Sequence, residues 1–137
     1  FRRVLLRSTD ASGNLATVWR ATNDGTICYA QPAPATVNTS STLTIANLKT
    51  GIIQSTPASG VTLTLPSGGL VEGGFNTMFT NQAFEWSVIN LSGTNAITIA
   101  SGTTHTIAGS ATVAANVSAR YVTRRTASNT FVSYRLC

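Results

Sequence analysis

Apolar and polar residues alternate along most of this chain with a period of two. Leu43 and Ile45 alternate with Thr42, Thr44 and Ala46, and Val61, Leu63 and Leu65 alternate with Thr62, Thr64 and Pro66. Ala96-Ile97-Thr98-Ile99-Ala100 and Phe131-Val132-Ser133-Tyr134 read the same way. Such alternation predicts half-buried strands, expected near 2–8, 15–21, 26–30, 42–48, 50–54, 60–65, 83–91, 95–100, 103–108, 111–117, 118–126 and 129–136. Turn residues punctuate them at Asp10 to Asn14, Asn23-Asp24-Gly25, Ser67-Gly68-Gly69, Ser92 to Asn95 and Ala108-Gly109-Ser110. Many short strands at this spacing predict an all-β fold, an antiparallel β-sandwich of jelly-roll type. One short helix is expected around Gly69 to Thr80, weakened by the glycines at 73 and 74. No internal repeat is evident at this level.

The run from Tyr29 to Thr36 is rich in Ala and Pro and reads as a stiff, extended linker. It divides the chain into an N-terminal β segment, residues 1–35, and a sandwich, residues 36–137. The first segment holds two or three strands, too few to bury a core alone, and is expected to form a collar or shaft by packing on the main domain or on copies of itself.

Composition sharpens this picture. Charged residues make up only 9% of the 137 residues, against 42% hydrophobic, and the mean hydropathy is +0.15. Ser and Thr supply roughly a quarter of the chain, a choice common in sheets that meet water through hydroxyls. A surface so poor in charge usually meets a partner, which favours self-association. No stretch approaches the ~18 consecutive apolar residues of a membrane span, so no membrane insertion is expected. The opening Phe1 to Arg7 is not a signal peptide and is expected to lie inside a longer polypeptide. Cys28 and Cys137 leave one disulfide or two free thiols open, and their spacing fits no zinc pattern.

The inventory for catalysis is thin: one His, one Lys and the four carboxylates Asp10, Asp24, Glu72 and Glu85. The two Asp residues sit in turn sequences, where the side chain caps the backbone. His105 lies in a strand or turn with no nucleophile elbow anywhere in the chain. Glu85 falls on the face opposite Phe84 and Trp86, where pairing with an Arg is expected rather than general acid or base work. Paired glycines at 68–69 and 73–74 lack the Lys-Ser/Thr of a phosphate loop. The expectation is therefore a non-enzyme with no catalytic, metal-binding or cofactor-binding residues and no cofactor.

The net charge of +5 comes from two Arg groups, Arg2, Arg3, Arg7 and Arg20 near the start and Arg120, Arg124, Arg125 and Arg135 near the end. The late group alternates within strands, with Arg124 and Arg125 on opposite faces. These four are candidates for interface pairing or for phosphate or sulfated-glycan contact, and they lack the interleaved exposed aromatics of a nucleic-acid reader. Trp86 and Tyr121 are the candidates for a sugar platform, against a core role for Trp86 on the face of Phe84 and Val88. Three glycosylation triplets begin at Asn38, Asn90 and Asn116, as chance allows in a chain so rich in Ser and Thr.

From Ser41 onward the chain resembles C-terminal domains of virion surface proteins of large algal viruses and some phages. The resemblance rests on Thr42 to Ile45, Val61 to Pro66, Phe84 to Asn90, Asn95 to Ala100 with Ile107 to Ser110, Ser118 to Tyr121 and Phe131 to Arg135. It implies a homotrimeric, jelly-roll-like head at the tip of a fibre or spike, on the virion surface. There it would contact a host cell-surface glycan or receptor and, at its N-terminus, another virion protein. Two other readings stand beside it: a carbohydrate-binding or adhesin sandwich, and a small capsid jelly roll touching nucleic acid.

Overall fold

The computed structural model describes residues 6–9, 15–21, 27–76 and 78–137, with side chains from residue 29 onward. The chain forms two compact units, Phe1–Pro32 and Ala33–Cys137. In the first unit, β1 (Leu6–Thr9), β2 (Leu15–Ala21) and β3 (Ile27–Tyr29) form an antiparallel meander in the order β1-β2-β3. Arg7 stands opposite Thr17 and Arg20 opposite Cys28, with an irregularity between Leu6 and Arg7. The turns expected at 10–14 and 23–25, and Arg2 and Arg3, lie outside the described residues, as do the side chains of Arg7, Arg20 and Cys28.

The second unit begins with β4 (Ala35–Thr36), so part of the expected linker is instead the first strand of the sandwich. The chain then passes repeatedly between two sheets. From β4 it crosses to β5 (Ser41–Thr42), returns through α1 (Ile45–Lys49) to β6 (Ile52–Ser55), and crosses again to β7 (Val61–Thr64). After α2 (Gly68–Gly74) it returns to β8 (Ala83–Asn90) and crosses to β9 (Ile97–Ala100). The remaining strands are β10 (His105–Ala108), β11 (Thr112–Val113), β12 (Ser118–Ala127) and β13 (Thr130–Arg135). One sheet has six strands in the order β10-β13-β12-β8-β6-β4, and the other has four in the order β11-β9-β7-β5.

The all-antiparallel pairing of the expected jelly roll is not what forms. β4, β6 and β8 run parallel, as do β5, β7 and β9, and β10 is parallel to β13. Three successive passes thus stack as coils, with Ala35 beside Ile53 and Ile53 beside Val88 in one sheet. In the other, Ser41 stands beside Leu63 and Leu63 beside Ile99. Among the described strands of this unit the antiparallel pairs are β8–β12, β12–β13, joined by a tight turn, and β9–β11. The physical reason is the crossover: from β4 to β9 each strand in one sheet is followed by a strand in the other, so these sheet neighbours are separated by a full coil and arrive in the same direction.

The strand expected over 42–48 is replaced by α1. Thr44 Oγ1 accepts the Asn47 N–H at 3.1 Å, and Asn47 Oδ1 accepts the Thr44 N–H at 2.9 Å, a reciprocal cap on the first turn. Gly51, at φ +73°, ends the helix and donates its N–H to the Leu48 carbonyl. α2 is shorter than expected, capped by Ser67 and stopping at Gly74. Phe75 follows it and stacks on Phe84, ring centres 4.0 Å apart.

The core lies between the two sheets. Ile53, Trp86, Val88, Ala119 and Tyr121 from the larger sheet meet Val61, Leu63, Ile97, Ile99 and Val113 from the smaller, closed by Leu43, Leu48 and Leu65. All but Leu48, the buried residue of α1, are inward positions of the period-two pattern. The fold is therefore an all-β sandwich, with mixed rather than antiparallel sheets.

Candidate functional site

Strand register decides what each candidate residue can do. Trp86 and Tyr121 are cross-strand partners on β8 and β12, both on inward positions. Their rings stack at 4.5 Å and 17°, with 1% and 0% of their surface exposed. Neither ring offers a face to a sugar, so the platform expectation is overturned: the register that pairs them also points them into the core. Burial pushes the Tyr121 phenol up, against a smaller opposing pull from Arg135, and its hydroxyl has no hydrogen-bond partner among the described residues.

The four late arginines do not form one basic surface. Arg120 pairs with Glu85 on the outer face of the larger sheet, where both side chains are about half exposed; the Glu85 contact holds the guanidinium pKa above its ordinary value. Arg124 donates to Asn81 Oδ1. Arg125 turns the other way, to both oxygens of Glu72 at 2.7 and 3.2 Å and to the Met78 carbonyl at 2.8 Å. Arg135 donates to the carbonyls of Ser110, Thr112 and Cys137. Each guanidinium is thus engaged within the chain: Arg120 links β12 to β8, and the other three tie loops and α2 to the sheet. Among the described residues Cys137 is a free, exposed thiol.

Glu72 is the hub of one such tie. The Asn129 N–H, foremost, and then the Arg125 guanidinium hold its carboxyl below the ordinary carboxylate range, against a partial upward push from burial. Replacing Arg125 by Met removes both the ion pair and the Met78 bond, and its melting temperature is expected to fall by several degrees. Arg120→Met should leave it unchanged, since an ion pair in water contributes little. Thermal melts of the two variants side by side check this.

His105 is fully buried and sits at one end of a hydrogen-bonded chain that crosses four strands, β10, β13, β12 and β8. Its Nδ1 lies 2.9 Å from the Pro66 carbonyl and its Nε2 2.8 Å from Ser133 Oγ. Ser133 Oγ is 2.6 Å from Thr123 Oγ1, which accepts the Trp86 Nε1–H at 2.8 Å. Since Pro66 can only accept, Nδ1 carries the proton and Nε2 accepts from Ser133, whose oxygen accepts from Thr123. Every bond in the chain is satisfied with a neutral imidazole. Ser133 and His105 have the spacing of a nucleophile and base, but a backbone carbonyl stands where an orienting carboxylate would, and both residues are 0% exposed.

Asn90 forms a second buried knot. Its amide donates to the carbonyls of Asn95, Val113 and Ala114, and its oxygen accepts the Ser92 N–H. This binds the β8–β9 crossover to β11 and leaves Asn90, at 1% exposure, no room for a glycan. Among the described residues no group of three His, Cys, Asp or Glu side chains could hold a metal, and no helix is long and apolar enough to cross a membrane.

The outer faces of the two sheets differ in kind. The four strands of the smaller sheet contain no charged residue. Thr62, Thr98 and Thr112 form one exposed row across three neighbouring strands, and Thr42 beside Thr64 forms a second that continues to Ala100. The charges of this unit sit on the larger sheet and on the helices: Lys49, Glu72, Glu85, Arg120, Arg124, Arg125 and Arg135. The Thr rows are visible in the sequence as Thr62-Leu63-Thr64 and Ile97-Thr98-Ile99. What reveals them as a single surface is the parallel stacking, which alternation alone does not specify. No family model, curated protein or solved structure matches the chain.

Proposed function

We propose that this chain is the non-catalytic, self-associating head of a virion surface fibre or spike, a homotrimer that hides its uncharged sheet against its own copies. The observation that carries the reading is the segregation of charge: the smaller sheet is neutral and threonine-lined, while the charges of this unit lie on the larger sheet and the helices. Interface cores are depleted in charge relative to the rest of a protein surface, and a symmetric trimer places the same patch of every subunit around one axis. The N-terminal meander, small for an independent core, serves as the collar that joins the head to another virion protein. Contact with a host glycan or receptor falls to the loops and the charged sheet. The carbohydrate-module reading loses its platform with the burial of Trp86 and Tyr121, and the late arginines, engaged within the chain, are not free for a polyanion.

A charge placed on the neutral sheet tests this. Thr98 is the middle of its row, so Thr98→Lys brings three like charges together in the assembled trimer, at a cost of several kcal/mol. The variant is expected to elute as a monomer, whereas Ser118→Lys, at the exposed start of β12 in the larger sheet, keeps the parent's size. Equal elution of both variants and the parent would refute the assignment of the neutral sheet.

A further inference from the structure

The His105 chain has a consequence separate from assembly. We propose that His105 is an acid latch on the edge strand β10: its neutral imidazole fastens β10 and the preceding turn to β13, and proton uptake releases them while the rest of the sandwich stays folded.

The geometry carries this. β10 is the last strand of the larger sheet and, among the described strands, pairs only with β13. The turn before it is strained, with Thr104, a β-branched residue, at φ +55°. That turn is held by the Gly102–His105 bridge, by Thr104 Oγ1 donating to the Asn129 carbonyl at 2.7 Å, and by the Phe131 N–H donating to the Thr104 carbonyl. His105 is the residue at which turn, strand and core meet.

A second proton on the imidazole breaks the pattern of donors. Nε2 would then donate to Ser133, Ser133 would turn to donate to Thr123, and Thr123, already accepting from Trp86, would hold a hydroxyl proton with no acceptor along the chain. The new charge would also be buried without a counter-ion. On β13, Arg135 is spent on carbonyls and Tyr134 lies on the outer face; on β12, Arg125 is paired with Glu72 of α2, and Arg120 and Arg124 face outward. On β8, Glu85 faces outward to Arg120, and Tyr121 beside Trp86 contributes a neutral phenol. β7, β9 and the Leu65-Pro66-Ser67 segment hold no titratable side chain. Among the described residues no carboxylate faces the imidazole, and the Phe131 ring beside it is tilted by 57° with ring centres 6.0 Å apart.

Burial accordingly holds the His105 pKa below its ordinary value, against a smaller upward pull from Pro66. The stabilisation is complete above the unfolded-state pKa of about 6.5. It is lost as pH falls from there through the lower folded-state value. Glu72 acts in a separate, more acidic window, below about 4.5.

The chain has a single His, so imidazole NMR resolves this group without assignment ambiguity. The expected result is a neutral, Nδ1-protonated ring at pH 7.5. Below about pH 6.5 the amide exchange protection of Thr106, Ile107 and Ala108 should fall by about tenfold per pH unit, as uptake of one proton requires. Ile53 and Val88 should stay protected over the same range, and His105→Gln should remove the pH dependence of the β10 amides. If His105→Gln does not fold, the parent chain still decides the matter. A ring that titrates at its ordinary pKa with β10 protection unchanged would overturn the latch, and so would loss of protection at Ile53 and Val88 together with β10.

Discussion

Trp86→Ala is expected to destabilise the sandwich by about 3–5 kcal/mol, the range for deleting a large buried aromatic. Three losses coincide at this site. The stack on Tyr121 disappears, a cavity opens between the sheets, and Thr123 Oγ1 loses the indole N–H that it accepts. Domains of this kind are stable by only about 5–15 kcal/mol, so the variant should be partly or wholly unfolded under conditions where the parent is native. Tyr121→Phe is the informative contrast. It keeps the ring stack and removes a buried hydroxyl that has no partner among the described residues, a change that is neutral or stabilising when the shape is kept. Urea unfolding of both variants measures the difference. A small loss at Trp86 would mean that the sheets do not pack as described.

Gly68→Ala carries the second large effect, and two opposing magnitudes decide its sign. At the start of α2, alanine gains about 1 kcal/mol over glycine from helix propensity. The added Cβ, however, would run into the carbonyl of Asn129, meeting its carbon at 2.7 Å and Thr104 Oγ1 also at 2.7 Å. The carbonyl belongs to the backbone of the β12–β13 turn, held at φ +53° at Asn129, and cannot rotate away like a flexible side chain. Relief requires α2 to withdraw, which breaks the Glu72 bonds to Asn129 and Arg125. Overpacking of this kind costs about 1–3 kcal/mol before those bonds are counted. A net fall in the unfolding midpoint is therefore expected. Gly73→Ala, whose Cβ meets nothing within 4 Å, should raise it. If both glycines respond alike, the close approach of α2 to the turn is not real.

Alternation made the inward faces legible. Trp86 and Val88 on β8, and Phe131 on β13, are buried where a period of two places them. What alternation does not carry is strand direction, because an inward residue is inward whether its neighbour runs parallel or antiparallel. Alternation consequently does not show the coils: the stacked residues Ile53 and Val88 lie 35 positions apart across an intervening helix, while Ala35 and Ile53 lie 18 apart. α1 escapes the pattern for a different reason. Leu43, Ile45 and Asn47 satisfy a strand pattern, yet Thr44 with Asn47 at one end and Gly51 at the other are helix signals, and local capping prevailed over alternation. Arg120 and Arg125 lie in a single strand, and only the position of α2 shows that one meets water while the other meets Glu72. Thr123 and Ser133 read as ordinary strand residues because the buried hydrogen-bonded chain exists only once four strands are side by side.

Self-association through the neutral sheet is the claim on which the functional reading turns, and particle mass is its most direct test. Light scattering of the whole chain over a range of concentrations should return three times the 14.3 kDa of one chain, independent of dilution. A particle that stays at 14.3 kDa even at high concentration would contradict it.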